Sequence, residues 1–364
     1  MSGADRFTYS LERGPDALAS LEREWIDLEN ACASHPFQTH AYVTLWQREV
    51  GAAEGVRPLI VTARDGERLV GIFPASFRVI RGMPAITWLS GPEILDYGDI
   101  LFCPDGNAEQ IDAFVERALT LLTSAERLAT LYLTNLRADA LAYAPLAKRL
   151  RVLKVSAAPF LKVEGQFEDY MSGRKHALSG NLDRKLRKME REHGAELEIL
   201  EPGDPRIEET MEALVRYQRV RFNRMTARTA LFHEHQVRFR LLQAMTLPDS
   251  RLLRIAWSDH IPAASLHAMR DDRLYNLTGG FDAESSKFSP GSILQRFAIE
   301  SCFASGVAIY DFCWGGEPYK YDWASGEVSL TTFIDNGLRG RALTAVRAVS
   351  RRMASALDPQ QKDA

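Results

Sequence analysis

YNLTGGFDAESSKFSPGSILQRFAIESC (Tyr275–Cys302), followed after six residues by IYDFCWGGEPYKYDW (Ile309–Trp323), is the stretch on which the fold turns. An apolar run ends at Gly279-Gly280, a polar loop with Lys287 follows, and Ser289-Pro290-Gly291-Ser292 opens an apolar helix to Ser305. A strand then spans Ala308 to Cys313, which completes a strand–helix–strand unit. Ser and Pro at a helix start are ordinary capping residues. A glycine-flanked strand end feeding a helix N-terminus is also an anion site, because unpaired amide N–H groups and the helix dipole both favour phosphate. The second strand leaves through Trp314-Gly315-Gly316-Glu317-Pro318-Tyr319-Lys320-Tyr321-Asp322-Trp323. Two glycines, acid, base and four aromatics within ten residues suit neither a helix nor a strand face. A loop of this kind at the end of a sheet is where α/β proteins bind ligands; the alternative is a surface loop pinned by its own aromatics.

Outward from that stretch, the elements form two similar sets. Upstream, a basic helical segment (Arg174 to His193) precedes helices at about Asp204 to Met225 and Glu234 to Met245. Strands at Leu252 to Ser258, Ile261 to Arg270 and Arg273 to Gly279 follow, and a last strand runs from Glu327 to Ile334. In the first half, Leu18, Leu21, Trp25 and Leu28 mark an amphipathic helix over Pro15 to Ala33, and Ala41 to Val50 a shorter one. Strands at Arg57 to Arg64, Arg68 to Val79 and Ala85 to Leu89 are separated by the turn pairs Asp65-Gly66 and Arg81-Gly82. A strand near Asp99 to Phe102, helices at Ala108 to Ala125 and Ala138 to Leu150, and a strand at Ala129 to Thr134 complete it. Two helices, an antiparallel meander, a helix and a strand therefore occur twice in an α/β chain, without a residue-level repeat. The expected division is 1–165, 166–335 and a basic amphipathic helix with a disordered tail at 336–364.

Composition narrows the classes. The chain of 364 residues holds 45 Lys+Arg against 48 Asp+Glu, and this near-neutral balance argues against a nucleic-acid coat protein. With 46% hydrophobic residues, disorder over most of the chain is excluded. Cys32, Cys103, Cys302 and Cys313 are widely separated and have no zinc-like spacing, so neither metal nor disulfide framework is expected. The N-terminus lacks the apolar region of a secretory signal, and no uncharged stretch approaches a membrane span. A cytoplasmic protein is expected, with any inner-membrane contact peripheral.

Further candidates lie outside the opening stretch. Asp96 and Asp99 stand three residues apart in Leu95-Asp96-Tyr97-Gly98-Asp99, either as turn formers or, facing a cleft, as base or anchor for a cationic substrate. His267 sits in an apolar strand, where a structural role competes with catalysis. Seven Lys and Arg against two acids between Arg174 and Arg191, and five Arg without acids between Arg339 and Arg352, are either solvated helix faces or patches for phosphates and anionic lipids. No GxSxG, HExxH or P-loop is present.

The stretch from Arg174 to Leu330, with RKLRKMEREHG, LYNLTGGFD, the SPGS helix start and DFCWGGEPYKYDWA, resembles the acetyltransferase domain of the CelD/BcsL-type GNAT proteins. HPFQTHAYVTLW, GIFPASF and LDYGDILF in the first half resemble the N-terminal half of the same family. More distant kin are the Fem-type aminoacyl transferases, built from two GNAT-like domains. The resemblance implies tandem GNAT-like domains, each a mixed, largely antiparallel sheet flanked by helices, with acetyl-CoA or a longer acyl-CoA as co-substrate in the second and the acceptor in the cleft between them.

Carried onto this sequence, the resemblance makes Leu277, Thr278 and Gly279 pantetheine-side residues and Lys287, Ser289, Gly291 and Ser292 phosphate-side residues. The usual Q/R-x-x-G-x-G/A pyrophosphate signature is absent. Asp99, His267 and Glu317, and also Asp96, are of suitable type for a base. Lys320 would orient the acceptor, and Tyr319 would return a proton to the CoA thiolate. Asp96, Tyr97, Trp314, Tyr321 and Trp323 would line the acceptor. The implied activity is acyl transfer, other than of amino-acyl groups, to a small-molecule or lipid-linked amine of a cell-envelope precursor, foremost an amino sugar of an exopolysaccharide. The alternatives are long-chain acylation of a lipid amine such as a sphingoid base, and a degenerate, nucleotide-binding regulator of polysaccharide synthesis.

Overall fold

The computed structural model describes residues 6–91, 96–103, 106–174, 178, 180–224 and 233–345. The chain divides into two compact units, Met1–Ser156 with Ser329–Ala364, and Ala157–Val328. The first unit holds β1 (Thr8–Arg13), α1 (Asp16–Ala31), α2 (His40–Trp46), β2 (Arg57–Asp65), β3 (Arg68–Ile80), β4 (Met83–Trp88), β5 (Leu101–Phe102), α3 (Ala108–Ala125), β6 (Thr130–Arg137) and α4 (Tyr143–Arg149). Strand β7 (Arg151–Lys162) carries the chain into the second unit. There follow α5 (Phe167–Ser172), α6 (Gly180–His193), β8 (Glu196–Leu200), α7 (Ile207–Arg224), α8 (Glu234–Thr246), β9 (Ser250–Trp257), β10 (His260–Arg270), β11 (Arg273–Phe281), α9 (Pro290–Ser305), β12 (Ile309–Asp311) and α10 (Pro318–Tyr321). Strand β13 (Gly326–Ile334) leads back to the first unit.

Both units have one topology. The first sheet runs β1-β2-β3-β4-β6-β13, the second β8-β9-β10-β11-β12-β7. Every neighbouring pair is antiparallel except β4 with β6 and β11 with β12, the two pairs joined through a crossover helix. The last strand of each order is supplied by the segment that crosses between units, so β13 completes the first sheet and β7 the second.

The sequence explains these layers. Helix α1 buries Leu18, Leu21, Trp25 and Leu28 on one stripe, and the Trp25 indole donates to the Gln38 carbonyl at 3.0 Å. Strands β9 and β10 read as continuous apolar runs because both faces are covered. Leu253, Ile255 and Ala263 point to the core under α9, whereas Leu252, Ala264 and Leu266 point to the core under α7 and α8. Residues 338–345 are helical and bury Leu343 against Tyr132 and Ile334, so the start of the arginine-rich segment docks on its own unit. Its remainder, from 346 on, lies outside the described residues. Among the described residues no helix is long and apolar enough to cross a membrane.

Candidate functional site

In the second unit, β11 and β12 run parallel but pair over only three positions, Arg273↔Ile309, Leu274↔Tyr310 and Tyr275↔Asp311. Strand β12 ends there, while β11 continues to Phe281 with β10 alone as its neighbour. The register against β10 slips between Leu266↔Thr278 and His267↔Asn276, which leaves Leu277 as the extra residue of a bulge and bends β11. Beyond the pairing, β12 is turned away by Asp311. Its buried carboxylate accepts the Cys313 N–H at 2.9 Å and the Arg273 guanidinium at 2.9 Å, and Cys313 takes φ 58°. The result is a wedge at the C-terminal ends of two parallel strands, with an unpaired strand edge from Asn276 to Phe281.

Helix α7 forms one wall. A Cβ at Gly280 would stand 3.1 Å from the Tyr217 Cβ, so only glycine lets helix and strand approach this closely. The next residue of α7, Gln218, donates its side-chain amide to the Thr278 hydroxyl at 3.2 Å and to the Gly279 carbonyl. On the α9 side, Asn276 donates to the Gln295 side-chain oxygen at 3.2 Å. Leu277, Thr278 and Gly279 therefore lie along the open edge, with Thr278 and Gly279 held by a glutamine that no pattern in the sequence singles out.

The other end of the wedge is cationic. Ser289 begins α9 in the left-handed conformation (φ 56°, ψ 50°), and its hydroxyl accepts a 2.6 Å hydrogen bond from the Lys185 ammonium of α6. Lys287 is exposed in the turn just before, and Gly291 lies against the Phe281 ring, 3.0 Å from where a Cβ would be. Ser292 donates its N–H to the Ser289 carbonyl at 3.1 Å. A cation beside a helix N-terminus opposes the helix dipole by about 0.3–1 kcal/mol. Two lysines at this position are therefore unfavourable by themselves and favourable once an anion is bound.

The loop after β12 is more ordered than its composition suggests. Pro318–Tyr321 forms a single helical turn, α10, within a stretch whose residue types suit neither a helix nor a strand face. Lys320 is 5% exposed and fully engaged: it donates to the Trp314 carbonyl at 2.9 Å and the Gly315 carbonyl at 3.1 Å, and pairs with Glu317 at 2.9 Å. It pins the loop and is not presented to an acceptor. Trp323 is 2% exposed in the core under α9, and its carbonyl accepts from the Tyr170 hydroxyl; it is a core residue and not a binding surface. Trp314, Tyr319 and Tyr321 are exposed, the last donating to Glu327 at 2.7 Å. Desolvation, more than the opposing pull of Lys320 and Arg221, holds the Tyr319 phenol above its ordinary pKa. His267 is fully buried, with Nε2 3.0 Å from the Tyr310 hydroxyl, and burial pushes its pKa down to about 4. It is a neutral interior residue.

The corresponding wedge in the first unit is filled by the chain. Strands β4 and β6 pair only at Ala85↔Thr130 and Ile86↔Leu131, after which Gly98 takes the vacated edge as a parallel bridge to Leu136. The Gly98 N–H reaches the Asn135 carbonyl at 3.2 Å, and the Trp88 indole donates to the Thr134 carbonyl at 3.0 Å. A Cβ at Gly98 would fall 2.1 Å from the Trp88 indole nitrogen. Tyr97 is fully buried against His35 and Phe37. Asp99 accepts the N–H groups of Ile100, Leu141 and Ala142 at 2.8–2.9 Å, and burial pushes its carboxyl up to about 6 against those bonds. Asp96 is partly buried at the start of this plug. Tyr97 and Asp99 thus secure the plug.

Residues 176–321 match the family of the acetyltransferase (GNAT) domain. This part of the chain is a GNAT acetyltransferase domain. Among solved structures, the chain is similar to FemX, with a TM-score of 0.60 at 9% identity, covering 89% of this chain and 96% of that one. It is also similar to the C-terminal (DUF2156) domain of a putative lysylphosphatidylglycerol synthetase from Agrobacterium fabrum, with a TM-score of 0.56 at 12% identity, covering 91% and 96%. At these identities the likeness is one of fold alone, over most of the chain. No curated protein matches it in sequence. Within the GNAT domain, the open β11 edge and the cationic start of α9 are the features of the wedge.

Proposed function

We propose that this GNAT-family acyltransferase transfers an acyl group from acyl-CoA to the amine of a cell-envelope precursor, an amino sugar of an exopolysaccharide or its lipid-linked intermediate. The observation that carries the donor is the open β11 edge running toward the lysine-flanked start of α9. Pantetheine amides pair with an unpaired strand edge as another strand would, and a pyrophosphate offsets the charge of Lys185 and Lys287. The sealed wedge of the first unit supports a single donor site. The envelope amine is read from the resemblance to CelD/BcsL-type proteins.

In the reaction the acceptor nitrogen attacks the thioester carbonyl, the C–S bond breaks, and the proton lost by the amine ends on the CoA sulfur. Among the residues the sequence offered as bases, Glu317 is the exposed carboxylate in the loop at the wedge, and it takes the amine proton. Tyr319, kept protonated by its raised pKa, returns a proton to the thiolate. Lys320 holds the loop that carries both.

The test is to incubate purified protein with acyl-CoAs from acetyl to palmitoyl and a panel of amines, with free CoA as readout. Ligand at 100 times its Kd adds about 2.7 kcal/mol of stability, so a melting shift reports the donor independently. Turnover with an amino sugar is expected; no shift and no released CoA with any donor would overturn the reading.

A further inference from the structure

Helix α6 presents to solvent a row of cations that the donor site does not use. Leu182 and Met189 are buried in the core under α9 and Leu186 packs against it, so the opposite side of the helix faces outward. Arg184, Arg187, Lys188 and Arg191 occupy that side, and all of them are exposed. Over two turns their heads line a strip about 10 Å long. Little within the protein balances this charge. The Arg184 guanidinium donates to the Asn181 side-chain oxygen at 2.9 Å, and neither Arg184 nor Arg187 has a carboxylate partner among the described residues. Lys188 and Arg191 share Glu192, at 3.8 and 4.0 Å. Asp183 pairs with Arg296 of α9 instead. Arg184 with Lys188, and Arg187 with Arg191, are like-charge neighbours four residues apart, which destabilise a helix. Only Arg191, in the last turn, gains from the helix dipole.

We propose that this face of α6 docks the chain on an anionic lipid bilayer, whose headgroup phosphates supply the counter-charge that the helix lacks. A negative headgroup layer attracts each Lys or Arg held near it, whatever the exact spacing of its phosphates. Among the described residues, none of the large apolar side chains exposed to solvent lies on α6, so the contact is one of charge alone, without insertion among the acyl chains. A nucleic acid carries the same sign of charge, but the row offers it no aromatic ring on which a base could stack. The choice of a bilayer also rests on the lipid-linked acceptor of the proposed function, since such an amine resides at a headgroup surface. Docking through α6 raises the effective concentration of that acceptor without touching it.

The test is co-sedimentation of the full chain with vesicles of equal parts phosphatidylcholine and phosphatidylglycerol, and with vesicles of phosphatidylcholine alone. Binding to the anionic vesicles only is expected, together with its loss in about 1 M salt, where the screening length falls to about 3 Å. The variant Arg184→Gln/Arg187→Gln/Arg191→Gln is expected to bind on the order of 100-fold more weakly, at about fivefold per basic side chain. Arg184→Lys/Arg187→Lys/Arg191→Lys keeps the binding, because a diffuse headgroup layer reads charge and not the guanidinium fork. Both variants keep the wild-type melting shift with acetyl-CoA, which reports folding and the donor site independently of the membrane. Equal binding to neutral vesicles, a glutamine variant that stays on the anionic ones, or a lysine variant that leaves them would overturn the proposal. So would binding to duplex DNA through the same arginines without binding to vesicles. Vesicle results as expected with no acetyl-CoA shift in any form would overturn the acyl-CoA reading and leave the docking surface standing.

Discussion

The ammonium of Lys185 donates a 2.6 Å hydrogen bond to the hydroxyl of Ser289, the residue that opens α9. A cation held against the positive end of a sixteen-residue helix is a liability in the free protein and an asset in a complex with an anion. Lys185→Ala is therefore expected to weaken acyl-CoA binding about tenfold while leaving the melting temperature of the free protein unchanged or slightly raised. Calorimetric titration at two salt concentrations checks this, since loss of a phosphate contact also flattens the salt dependence.

The first unit's wedge is closed by Gly98 and Trp88, so one acyl-CoA is expected to bind per chain. Gly98→Ala places a methyl group within the indole and is expected to cost about 1–3 kcal/mol or more in stability. Denaturant unfolding measures the loss. A second equivalent of bound CoA in the wild-type protein would show that the plug does not seal that wedge.

Lys320 is buried with two carbonyls and one carboxylate around its ammonium. Lys320→Met leaves those acceptors without their donor and is expected to cost about 1–3 kcal/mol. Lys320→Arg does not rescue it, because a planar fork cannot reproduce the three-way geometry of a compact ammonium. Proteolysis in the 314–323 loop and thermal melting of the two variants check both statements.

His267 imposes a pH dependence on stability. Its folded-state pKa of about 4 lies below the ordinary 6.5, so the unfolded chain binds the proton more tightly. The corresponding stability is fully present above about pH 6.5 and is lost progressively as the pH falls toward about 4. Melting temperature is expected to fall over that window in the wild type and to fall less in His267→Gln, which keeps a polar partner for Tyr310 without a titrating group.

Much of this architecture is legible in the sequence because local signals specify it. The stripe of Leu18, Leu21, Trp25 and Leu28, the meander from Leu252 to Gly279 and the Ser289-Pro290 helix start all appear as elements with nearly the expected ends. Strands β1 and β8 escape notice because each is short and mixed in polarity, with partners supplied by long-range pairing. The site was less legible. Residue types single out Asp99, His267, Lys320 and Trp323, but their burial and hydrogen-bond partners, which only the fold defines, cannot be read from residue type. Conversely, Lys185 was visible only as one charge in a basic helix, and Gln218 carried no signal. The motif Asp96–Asp99 was conspicuous for a reason periodicity cannot express, since it fills a gap between two strands of its own unit.

Amide hydrogen exchange of the full chain, with and without saturating acetyl-CoA, tests the donor site most directly. Slowed exchange is predicted in peptides covering Asn276–Phe281 and the first turn of α9, with no change at β4 and β6. Unchanged exchange along β11, or protection confined to the first unit, would contradict the account.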